Sequence, residues 1–189
     1  MSGIGHNGGP TLEPGFGFRK VAWTKARAAL LPSLPLEVVR LQVARAQRLG
    51  LSYRRYASIR AATGCDIVAF LFSDNALDLR RTRIEVPGDV AARLAGLQGA
   101  ATRLAAVHPP HAPGAVLAAN AGLDAAAAAP GLSASWRETR DRLRALVRAQ
   151  GVPFDGVVVV PATMLEGGWC AAAGLAGAVP AEAFFAPTA

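Results

Sequence analysis

DIVAFLFS, residues 66–73, is the stretch that decides the fold. Both alternate faces of the run are apolar. As a strand it needs cover on both sides, which marks the interior of a parallel sheet rather than a half-solvated hairpin. VVVV at 157–160, closed by Pro161, is a second run of the same kind. Helical periodicity lies between them. From Asp89 to about Val107, the residues Val90, Leu94, Leu97, Ala101 and Leu104 share one face, which reads as a helix. Ser133 or Ser135 starts an amphipathic helix through Gln150, with Trp136, Leu143, Leu146 and Val147 inward. Gly151 and Pro153 stop it. AVLAAN (115–120) reads either as a further strand or as the start of a helix through the alanines that follow. Strands separated by helices predict crossover units. The expected fold is therefore α/β: a helical N-terminal part, then a small, mostly parallel sheet of two or three strands with helices on both faces.

Upstream of that sheet the chain changes character. Residues 1–18 are rich in glycine and proline and read as a flexible tail. Residues 19–64 form a basic helical segment, and residues 65–189 the α/β body. Residues 19–31 have helical composition, with Trp23 as an anchor. Pro35 suits the first position of the next helix, where its missing N–H costs nothing. Leu36, Val39, Val43 and Ala46 then make one apolar face as far as about Leu49. Gly50 suits the left-handed residue after a helix. Ser52 can cap a second helix over 53–62, with Tyr56 and Ile59 inward and Gly64 at its end.

Charge divides the chain at the same place. Residues 1–64 carry a balance of +8 and residues 65–189 a balance of −1, so the whole excess of +7 belongs to the first third. A positive face raises the local concentration of polyanions without saying anything about fold. Residues 42–61, QVARAQRLGLSYRRYASIRA, resemble the helix–turn–helix pattern of DNA-binding proteins. Ala46 is the small residue at the helix crossing, and Gly50 takes the turn. Leu49 and Leu51 pack inward, Ser52 caps, and Ile59 is the aliphatic anchor. Tyr56 departs from the pattern, because a large ring stands where a smaller aliphatic residue is usual. The resemblance implies that the second helix enters the major groove by its N-terminal residues. Arg54, Arg55, Ser58 and Arg60 would read bases. Arg40, Arg45 and Arg48, with Arg19, Lys20, Lys25 and Arg27 upstream, would hold phosphates. The opening GIGHNGGP resembles the start of a group of uncharacterised short bacterial and phage-associated proteins, which implies no activity.

Two other classes stay open. In an open parallel sheet, ligands bind beyond the carboxyl ends of the strands. Ser73, Asp74 and Asn75 follow the first strand, Asn120 and Asp124 the uncertain one, and Thr163 and Glu166 the last. Asp74, Asn75 and Glu166 together suit general acid–base work, with Arg80, Arg81 and Arg83 available to an anion. Thr163 and Glu166 also have the spacing of a capping box. His6 reads as a tail histidine, and the His108–His111 spacing carries little information in a Pro-Pro loop. The third class is a protein–protein adaptor docking through Trp169, Leu175, Val179, Phe184 and Phe185, residues that equally suit closure of the domain's own core.

The exclusions are firmer. No phosphate-binding glycine loop follows either clear strand, so no cofactor is expected. Cys65 and Cys170 form no disulfide framework or zinc pattern, and no metal is expected. They read as small buried thiols. The opening residues lack a basic n-region and an apolar h-region, and no stretch has the length and hydropathy of a membrane span. The expected protein is cytoplasmic, binds nucleic acid (DNA first), and self-associates if the apolar C-terminal segment is exposed.

Overall fold

The computed structural model describes residues 34–186. The expectations for 1–18, for 19–31 and for Lys20, Trp23 and Lys25 lie outside the described residues. Five parallel strands form the sheet: β1 (Ala69–Ser73), β2 (Thr102–Val107), β3 (Ala125–Ala128), β4 (Val157–Val160) and β5 (Gly177–Ala178). Their order is β3-β2-β1-β4-β5. Strand order reverses between β1 and β4, as in a doubly wound sheet. The helices are α1 (Leu36–Arg48), α2 (Tyr53–Thr63), α3 (Gly88–Gly96), α4 (Pro113–Ala119), α5 (Trp136–Ala149), α6 (Met164–Ala173) and α7 (Ala181–Phe185). The α/β class stands, but the sheet is larger than the two or three strands expected.

The two runs that decided the fold sit at its centre. β1 pairs with β2 from Ala69↔Thr102 to Ser73↔Ala106, and with β4 from Ala69↔Val157 to Phe72↔Val160. Alternation then sorts the side chains. Phe70, Phe72, Ala105, Val107, Val158 and Val160 join one core, and Ala69, Leu71, Leu104, Ala106, Val157 and Val159 the other. The first core is covered by Ala46, Leu49, Leu51 and Tyr56 from the α1–α2 region, Val90 and Leu94 of α3, Val116 of α4 and Phe184 of α7. The second is covered by Leu143, Leu146 and Val147 of α5 and by Trp169 and Ala173 of α6. Both faces of the central strands are dry, which is why their sequences run apolar without alternation.

Several sequence expectations need correction. The helix expected over Asp89–Val107 is two elements. α3 stops at Gly96, the chain turns at Gly99 with φ of 69°, and TRLAAV continues as β2. A strand buried on both faces and a helix segment are both simply apolar, so Ala101 and Leu104 fell into helical register by coincidence. AVLAAN belongs to helix α4, and alanines 125–128 form β3, paired with β2 from Leu104↔Ala125. Alanine is a weak strand former, so this strand is made by its neighbour rather than by propensity. Trp136 does not face inward; it is 61% exposed at the first turn of α5, while Leu143, Leu146 and Val147 are buried as expected. The two cysteines are partly exposed, not buried. Trp169, Leu175, Val179 and Phe184 are buried in the protein's own cores, so they offer no adaptor surface.

Local signals were reliable. Ser135 caps α5 and Thr163 caps α6, each in a complete capping box with Glu138 and Glu166. Gly50 has φ of 64°, a conformation that costs a residue with a Cβ, and its carbonyl accepts from the Arg93 guanidinium. Among the described residues, no helix is long and apolar enough to cross a membrane.

Candidate active site at the carboxyl edge of the sheet

Ser73 is the last residue of β1, and the loop after it turns over the first core toward α3. The loop after β4 turns to the other face and starts α6. The two loops part at the strand-order reversal, where open α/β sheets form their crevice. Glu166, 2% exposed, spans that parting. Its Oε2 accepts the Ser73 hydroxyl at 2.8 Å and the backbone N–H groups of Ala162 and Thr163 at 2.8 and 3.0 Å. Its Oε1 accepts the Asn75 amide at 2.6 Å. The Ser73 hydroxyl in turn accepts the N–H of Ala76 at 3.0 Å.

The helix α6 N-terminus is where an anionic ligand would ordinarily sit. Here the protein's own carboxylate occupies that place. Glu166 is therefore more than a capping-box residue: it ties β1 to β4 and fills the anion position itself.

Asp74 is buried beside it and faces β2. Its Oδ2 accepts the backbone N–H of His108 at 3.0 Å, and its Oδ1 lies 2.6 Å from His108 Nδ1 and accepts Asn75 N–H at 3.0 Å. The Asp74 N–H is also used, donating to Ala106 at 3.0 Å. Because Asp74 receives only donors, His108 presents Nδ1–H to it, which leaves Nε2 as the lone-pair nitrogen. Nε2 makes no hydrogen bond among the described residues, and the His108 side chain is 18% exposed. The imidazole rests against Trp169, with ring centroids 5.9 Å apart.

Ligand atoms of Asp74, His108 and Glu166 lie within 4.8 Å of one another. Two carboxylates and an imidazole suit a divalent transition ion in kind. The oxygens, however, are already used by N–H and O–H donors, and Glu166 Oε2 accepts three. A cation would have to displace these bonds, so the cluster reads as a completed hydrogen-bond network.

The structure thus brings together Ser73, Asp74, Asn75, Thr163 and Glu166. It does not bring Asn120 or Asp124 to this edge. Asn120 follows a helix rather than a strand and holds Val86 N–H and Ile84 C=O in the loop before α3. Asp124 precedes β3, at the opposite end of the sheet, and is paired to Arg103 at 2.6 Å. Arg80 and Arg83 both pair with Asp78, at 3.2 and 2.8 Å, so neither lies free for a ligand. His108 was missed. The signal was present: it directly follows LAAV, and once 102–107 is a strand it stands at that strand's carboxyl end.

The basic helices meet a different environment. Arg45 donates to Asp66 at 2.8 Å and to Ile67 C=O at 2.7 Å. Tyr56, the residue that departs from the helix–turn–helix pattern, is buried with its hydroxyl donating to Asp66 at 2.8 Å. Burial, and then the Asp66 carboxylate, push that phenol above its ordinary value. Arg60 donates to the Tyr56 oxygen at 3.2 Å. Arg55 reaches Ala183 C=O at 3.1 Å and Arg48 reaches Gly99 C=O at 3.5 Å, yet both remain exposed. Arg54, Ser58 and Arg40 are exposed as well. After α2 the chain enters β1 instead of a third helix.

The chain matches no protein-family model, no curated protein and no solved structure.

Proposed function

We propose that this protein is a small α/β enzyme that moves a proton through His108, oriented by Asp74, at the carboxyl edge of β1, β2 and β4. The 2.6 Å contact between His108 Nδ1 and the buried Asp74 carboxylate carries this reading. A carboxylate behind an imidazole fixes the tautomer and stabilises the imidazolium once Nε2 has taken a proton. Glu166, Ser73 and Asn75 position the pair and do not touch the reacting atoms. His108 is the catalytic residue in this reading, and Asp74 its positioning residue.

The test is the tautomer. Long-range proton–nitrogen NMR correlations of His108 should show Nδ1–H with an unprotonated Nε2 at neutral pH, and Asp74→Asn should relax that preference without unfolding the chain. An Nε2–H tautomer in the wild-type protein overturns the assignment. Any turnover found in a substrate screen should vanish in His108→Gln and survive in Arg54→Ala.

A second reading rests on the exposed outer side of α2, where Arg54, Arg55 and Ser58 face solvent at the helix start, with Arg48 on α1. This is the side that nucleic-acid binding, DNA first, requires. Arg45 and Arg60 are committed to Asp66 and Tyr56 and drop out of it. Affinity for duplex DNA should fall steeply with salt, and Arg54→Ala/Arg55→Ala should lower the slope of log K against log salt by about 2. Unchanged binding by that variant removes this reading.

A further inference from the structure

Seven large apolar side chains are strongly exposed among the described residues. Three are Leu34, Leu36 and Leu41, at the start of α1. The other four are Leu132 (83%), Trp136 (61%), Met164 (97%) and Leu165 (55%), and they come from two separate parts of the chain. Leu132 and Trp136 lie between β3 and the first turn of α5; Met164 and Leu165 open α6. Leu132, Trp136 and Leu165 line one groove of about 140 Å³, whose inner wall is Trp169. The same Trp169 indole supports His108, 5.9 Å away between ring centroids. The groove and the acid–base pair therefore share a side chain.

Size and charge together define what fits. About 140 Å³ is close to the roughly 150 Å³ apolar cavity that accepts a single benzene ring. Trp136 and Trp169 offer faces for stacking or edge-on contact. Beside the groove stand two carboxylates, Asp74 and Glu166. Among the described residues, no lysine or arginine lines the groove or bonds to either acid. The one natural anion position, the N-terminus of α6, is already filled by Glu166. An anionic head group would meet like charge and no donor, whereas a cationic head group would meet two carboxylates in a partly desolvated corner.

From this we infer the substrate class of the site: a small primary amine joined by a short alkyl linker to one aromatic ring, the ring in the Trp136–Trp169 groove and the ammonium toward Asp74 and His108. The inference rests on the acid–base reading above and gives His108 Nε2 a proton to take, that of the ammonium. Deprotonation yields the neutral amine and imidazolium, with the charge kept beside Asp74, and requires no further reactant.

The experiment is a binding comparison on the whole chain by tryptophan indole NMR shifts. It uses 2-phenylethylammonium, 2-phenylethanol and 3-phenylpropanoate, which share a ring and differ in charge. We expect saturable binding of the amine, tenfold or more above the alcohol and more still above the carboxylate. Leu165→Arg, an exposed position that leaves the fold intact, should weaken all three; Asp74→Asn should remove only the preference for the amine. Equal affinity for amine and alcohol, or tighter binding of the carboxylate, overturns the amine class. Absence of ring binding by all three overturns the groove. An Nε2–H tautomer of His108 with intact amine binding would instead overturn the catalytic reading alone, so the two failures are distinguishable.

Discussion

The two edges of the sheet hold the same kinds of acid in opposite company. At the amino edge, Asp66 accepts from Arg45 and from the buried Tyr56 hydroxyl, and Asp124 is clamped by Arg103 through Nε at 2.9 Å and Nη2 at 2.6 Å. At the carboxyl edge, Asp74 and Glu166 bond to no arginine or lysine among the described residues. They are held by backbone N–H groups, a serine, an asparagine amide and one histidine. A guanidinium neutralises a carboxylate and spends its charge on stability. Neutral donors fix a carboxylate in place and leave its charge available to whatever enters next. The difference separates acids that hold the fold from acids poised for chemistry.

The comparison breaks most visibly at Glu166. Removing it strands Ser73, Asn75 and two backbone N–H groups in a buried site. Glu166→Ala should cost about 3–5 kcal/mol in urea unfolding, the range for deleting one member of a buried charged network. Glu166→Gln should cost less, because one oxygen remains. A loss under about 1 kcal/mol for Glu166→Ala would show that the network is not holding β1 to β4.

Asp66 comes next. It is about a third exposed, so water partly replaces its partners, and Asp66→Ala should cost about 1–2 kcal/mol by the same measurement. Tyr56→Phe should lose about 1 kcal/mol, and the double variant should lose less than the sum.

Asp124 sharpens the comparison through pH. Hydrogen bonding to Arg103 holds its carboxyl below the ordinary 3.8. A lowered folded value means its contribution is complete above the unfolded value and is lost as pH falls through the folded one. Stability measured from pH 5 downward should therefore decline below about 4, and Asp124→Asn should be less stable at pH 5 and show a flatter profile. A profile identical in the two proteins would show that the Arg103 pair adds nothing to folding. The smallest effect belongs to Arg54→Ala, an exposed position with expected cost under about 0.5 kcal/mol in unfolding. A larger cost would mean that this arginine supports the fold rather than facing a ligand.

What the sequence determined by itself is whatever depends on near neighbours along the chain. DIVAFLFS and VVVV announced central strands because each carries too much apolar surface for one covered face. Ser52, Ser135 and the Thr163–Glu166 box announced helix starts because capping is satisfied within four residues. Only tertiary structure decided the rest. Alanines 125–128 are a strand because β2 offers them hydrogen bonds, and TRLAAV is a strand because helices cover both of its faces. Tyr56 is tolerated because Asp66 stands ten residues away to take its hydroxyl. His108 meets Asp74 across 34 positions only because β1 and β2 lie side by side in register. A site assembled from the ends of separate strands is written in strand order, and strand order is a property of packing that no local pattern contains.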